Sequence, residues 1–64
     1  MVELRINTKT NVTSWGFTDG NLFYPFGSDH MAKAMATLLL MKYKSTGEIE
    51  ADMTGEPDSE WKPV

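Results

Sequence analysis

Residues 30–45 read HMAKAMATLLLMKYKS, and the period of this stretch decides the fold. At about 100° per residue, the side chains of Ala34, Met41, Leu38, Met31, Met35, Leu39, Ala32, Tyr43, Ala36 and Leu40 follow one another around most of a helix. Only Lys33, Thr37 and Lys44 gather on a polar side. A helix resting on one sheet normally buries an apolar stripe a little over about 100° wide, so this helix carries more apolar surface than one sheet face can cover. Its ends are signalled as well. Ser28 or Asp29 can accept from the first free amides, Lys42 and Lys44 suit the negative end of the helix dipole, and Gly47 is a natural stop.

The chain before the helix alternates with period two. Val2, Leu4 and Ile6 interleave with Glu3, Arg5 and Asn7, which predicts a half-buried strand over 2–8. A turn at Thr10-Asn11 or Lys9-Thr10 leads to a second strand over 12–18, VTSWGFT. Asp19-Gly20, a strong short hairpin signal, then leads to a third over 21–26, NLFYPF. A two-residue turn there pairs Phe17 with Leu22, Trp15 with Tyr24 and Thr13 with Phe26, all on the face expected to meet the helix. Phe23 falls on the opposite face beside Gly16. Pro25 lacks a ladder donor, which places the third strand at the sheet edge.

After Gly47, Ile49, Ala51 and Met53 alternate with Glu48, Glu50 and Asp52. This predicts a fourth strand that returns to the sheet by a right-handed crossover, parallel to the first or third strand. Residues 55–64, GEPDSEWKPV, have no periodicity and read as an extended or disordered acidic tail. The expected architecture is therefore α+β: an antiparallel β-meander with one α-helix packed on one face, in the order β-β-β-α-β. Residues 1–54 would form a single domain.

Size and charge narrow the function. A chain of 64 residues buries only about 60% of the surface it exposes when unfolded. Small scaffolds compensate with disulfides, metals or association. The chain has no cysteine, which removes the first route and any thiolate metal site, and leaves homodimerisation as the expected support. Five lysines and arginines against three acids give residues 1–47 a net charge of +2. One lysine against six acids gives residues 48–64 a net charge of −5. With a pI near 4.8, the chain lacks the basic balance of nucleic-acid binders. The charged alternation at the start has no signal-peptide core, and no apolar run approaches the roughly 18 residues of a membrane span. A soluble, cytoplasmic protein is the expectation.

No enzyme, cofactor or metal signature emerges. Ser28, Asp29 and His30 are adjacent on a helix start, where neighbours do not converge as a triad must, and capping accounts for them better. The single glycine at Gly27-Ser28 is a weak anion signal without a phosphate-loop spacing. Glu48, Glu50 and Asp52 lack the histidine, glycine or asparagine of a metal loop. Trp15, Phe17, Tyr24 and Phe26 read as core, with Phe23 left on the outer face as a contact residue.

The helix face built from Ala32, Ala36, Leu39, Leu40 and Tyr43 sets small residues beside large ones and is the expected dimer interface. Met31 and Met35 are expected in the core. A protein partner with a basic surface would meet Phe23, Glu48, Glu50, Asp52, Glu56, Asp58, Glu60 and Trp61. The leading functional expectation is a non-catalytic protein-interaction module, such as a compact inhibitor or adaptor of the kind phages and other mobile elements encode. Two other classes compete with it: a single-stranded nucleic-acid binder using Phe23 and the lysines, and an enzyme subunit whose site forms only across a dimer.

Overall fold

A computed structural model describes residues 1–64, and it has the α+β architecture expected from the sequence, with one helix and five antiparallel strands in a curled sheet. Strands β1 (Glu3–Asn7), β2 (Thr13–Thr18) and β3 (Leu22–Gly27) form the meander. Asn7 shapes the first turn, because its Oδ1 accepts from the amides of Lys9 (2.8 Å) and Thr10 (3.0 Å). The turn closes on Asn11, whose φ of 63° is tolerated by asparagine.

The second turn sits one residue later than the hairpin signal suggests. Asp19 Oδ1 accepts from the amides of Asn21 (2.9 Å) and Leu22 (2.8 Å), so Asp19 flanks the turn and Gly20, at φ 97°, with Asn21 forms its centre. Phe17 therefore pairs with Tyr24, and Thr18 with Phe23. The pairing moves by two positions, which leaves every side chain on its expected face. Between Trp15 and Gly16 the register shifts, and Phe26 is the extra residue of a bulge. Buried Ser14 holds it: its Oγ accepts from the amides of Phe26 (3.0 Å) and Gly27 (2.8 Å).

Helix α1 (His30–Thr46) starts at Asp29, whose Oδ1 accepts from the Ala32 amide at 2.8 Å, and stops at Gly47 with φ 74°. It crosses β2 and β3. Its inward residues are Ala32, Ala36 and Leu40, packed over Phe17 and Tyr24, with Phe26, Leu39 and Tyr43 around them. The Phe17 ring lies 5.7 Å from that of Tyr24 and 6.0 Å from that of Tyr43. No helix is long and apolar enough to cross a membrane.

The segment after α1 departs from expectation. Residues 48–55 form a loop, not a strand. Ile49 and Met53 tuck against the core while Ala51 stays exposed, so the apparent alternation records two anchors four residues apart. There is no parallel crossover strand.

Both sheet edges are instead occupied by the segment expected to be a tail. β4 (Glu56–Pro57) pairs with β3 and β5 (Trp61–Pro63) pairs with β1, both antiparallel, giving the order β4-β3-β2-β1-β5. A 3₁₀ turn, Asp58–Glu60, carries the chain from one edge to the other. Its backbone is tied to both sides: Asp58 N donates to Asn21 O (3.3 Å), and Glu60 O accepts from Thr8 N (2.8 Å). The segment expected to be an extended or disordered tail thus supplies two short strands of the sheet, residues 56–57 and 61–63. β3 is not outermost, but β4 reaches only Leu22 and Phe23 and stops short of Pro25.

Candidate functional site

The sheet has two apolar faces, and each has its own cover. On the face away from α1, Phe23 is 0% exposed and Trp61 4% exposed, with ring centroids 4.9 Å apart. Gly16 makes room for this pair, for a Cβ there would lie 2.7 Å from Phe23 Cζ. The Arg5 guanidinium stacks 4.9 Å from the centre of the Phe23 ring, a cation–π contact. It also donates to Glu3 (3.0 Å) and Asp58 (2.8 Å). Burial works against the charge of Arg5, yet the hydrogen bonds with Glu3 and Asp58 and their charges outweigh it, and the guanidinium pKa rises. Trp61 Nε1 donates to Glu56 at 3.1 Å, and Lys9 pairs with Glu60 at 3.2 Å.

These contacts relocate most of the residues expected to bind a partner. Phe23 and Trp61 are a second core. Glu56, Asp58 and Glu60 hold the C-terminal segment to β1 and the first turn, so their carboxylates already have partners. Glu50 pairs with Lys42. Glu48 and Asp52 alone remain exposed without an ion pair. The single-stranded nucleic-acid reading loses its stacking residue, because no face of Phe23 is open to a base.

The expected dimer face is corrected in the same way. Ala32, Ala36 and Leu40 are buried within this one chain, and Leu39 and Tyr43 are half-buried beside them. The methionines assigned to the core lie outside. Met31 (69% exposed), Met35 (53%), Leu38 (66%) and Met41 (63%), with exposed Ala34, form a continuous stripe along α1. The steps of three and four residues keep them on one side of the helix. The helix does carry more apolar surface than one sheet face covers, as its sequence says, but the roles expected for its two sides are exchanged.

The reason is space. The sheet presents Phe17, Tyr24 and Phe26 upward, and a helix can approach them closely only through small residues. Ala32 shows the limit, since a Cβ on Gly27 would stand 3.2 Å from the Ala32 Cβ. A methionine arc could not be seated there without lifting the helix off the aromatic layer.

Beside the stripe an open cleft of about 500 Å³ runs between α1 and β3, lined by Tyr24, Pro25, Phe26, Met35, Leu39 and Met53, with Asp52, Thr54 and Glu56 as its polar wall. It offers carboxylates but no histidine, cysteine or lysine. Asp29 is occupied as the helix cap, and no group of three histidines or acids converges as metal ligands do. Compared with protein-family models, with curated proteins and with solved structures, the chain shows no match. Of the seven large hydrophobic side chains left exposed, four lie on the α1 stripe.

Proposed function

We propose that this chain is a non-catalytic protein-interaction module that docks through the outer face of α1. The observation that carries the reading is the exposed stripe of Met31, Met35, Leu38 and Met41. Methionine is unbranched and polarizable, and suits surfaces that must conform to a partner. The acidic residues contribute in a smaller way than their number suggests. Glu48 and Asp52, near the C-terminal end of α1, are free to steer a basic partner, whereas Glu56, Asp58 and Glu60 serve the fold. The lack of cysteine suits a reducing compartment such as the cytoplasm.

Photocrosslinking in cells tests this. The full chain, carrying a benzophenone side chain in place of Leu38, should form covalent adducts with protein, and the same probe in place of exposed Thr10 should not. Adding Met41→Glu should abolish the Leu38 adducts while leaving the melting temperature unchanged. No protein adduct at Leu38, or adducts that survive Met41→Glu, would refute the docking face.

A further inference from the structure

We propose that the occupant of the α1 stripe is a second copy of this chain, with the two helices packed antiparallel. The inference rests on the reading of α1 as a docking face and names its partner. The four large exposed side chains present on the order of 500 Å² of surface, the size of the largest apolar patch on a typical monomer, which is often functional. A specific interface buries roughly 800 Å² on each partner, and transient ones less than about 600. The stripe with its flanks therefore fits a reversible dimer better than a permanent one.

The stripe is also self-complementary, as a two-fold contact requires. About a centre at residue 36, reversal of the helix brings Met31 opposite Met41 and small Ala34 opposite large Leu38. A side chain of one copy thus meets a gap of the other. Charge selects the same direction. An antiparallel pair opposes the two helix dipoles. A parallel pair would stack the lysines of both copies at one end. The stripe lies on the side of α1 away from Ala32, Ala36 and Leu40, so the two sheets stay on the outside and do not collide. The product is a four-layer β-α-α-β stack in which each helix is covered on both sides.

Analytical ultracentrifugation of the full chain tests the occupant. A mass rising with concentration from 7.2 kDa towards twice that value is expected. Leu38→Glu should weaken association by at least about 100-fold, because two-fold symmetry buries two carboxylates against apolar surface. Its circular dichroism spectrum at low concentration should not change. Orientation is read from disulfides, on a chain that has no cysteine of its own. A mixture of Met31→Cys and Met41→Cys chains should cross-link to each other on oxidation, and Met31→Cys alone should not cross-link to itself.

A mass of 7.2 kDa at every concentration would overturn the second copy; protein adducts at Leu38 in cells would then still uphold the docking face. A dimer indifferent to Leu38→Glu would overturn the face. Self-linked Met31→Cys would overturn the antiparallel arrangement.

Discussion

Trp61→Ala separates a structural C-terminal segment from a dispensable one. In the folded chain Trp61 is buried, stacked on Phe23, and its Nε1 is bonded to Glu56. Truncating a buried tryptophan to alanine costs about 3 to 5 kcal/mol. The loss falls on a chain whose length implies a total stability of only about 3 to 10 kcal/mol. The variant should therefore lose from about a third to all of that stability. Trp61→Phe keeps a ring over Phe23 and removes the Nε1 donor, so it should cost only about 1 to 2 kcal/mol more than nothing. Urea unfolding followed by far-ultraviolet circular dichroism gives both numbers without relying on tryptophan emission. Because β4 and β5 pair with opposite edges of one sheet, each variant should show a single transition with an unchanged slope on denaturant. A loss below about 1 kcal/mol for Trp61→Ala, well outside the cost of truncating a buried ring, would refute the closure of the sheet by residues 56–63.

Three further outcomes follow from the same contacts. Ser14→Ala strands the amides of Phe26 and Gly27 at the bulge, and should lower unfolding free energy in urea by roughly 1 to 3 kcal/mol. Gly16→Ala drives a methyl into the Tyr24 carbonyl and the Phe23 ring; a loss of about 2 to 3 kcal/mol is expected, and an unchanged melting temperature would show that the second core is loose. The amides of Leu22 and Asn21 hold the Asp19 carboxyl below its ordinary pKa, so the stability it supplies is present above the unfolded value, near pH 4, and is lost as pH falls through the lower folded value. The melting temperature of Asp19→Asn, whose amide oxygen can still accept, should fall less steeply than that of the parent between about pH 5 and pH 2.

What could be read directly was the local part of the fold. Alternation placed the three meander strands, and the signals at Asp29 and Gly47 placed both ends of α1 within a residue or two. The pairing error at Asp19-Gly20 shifted partners but not faces, because a shift of two preserves parity. The C-terminal segment was opaque for a physical reason. Strands of two and three residues carry no period, and what positions them is non-local: the free edges of β1 and β3, and the uncovered ring of Phe23. A clue did exist. Phe23 beside Gly16 made an apolar outer face with nothing assigned to cover it, and Trp61 was the one large aromatic without a place.

The two arcs of α1 were harder, since hydropathy cannot rank them. Both are apolar, and the richer one in methionine and leucine is the one left outside. Size decides between them: three aromatics already fill the layer above the sheet, so the inward arc is the one with Ala32 and Ala36. Nothing within a single chain then calls for apolar residues at 31, 35, 38 and 41. Glutamate, lysine or glutamine would hold the helix about as well, and a contiguous apolar patch of this size lowers solubility. The first core needs Leu40 and the alanines, and the second needs Phe23 and Trp61; of the stripe only Met35 borders the first core, at the cleft beside Tyr24 and Phe26. A side of the helix that is unnecessary for folding and unfavourable in water is accounted for by contact with another surface. The size match of Ala34 to Leu38 under reversal is the ground on which we propose a second copy as that surface.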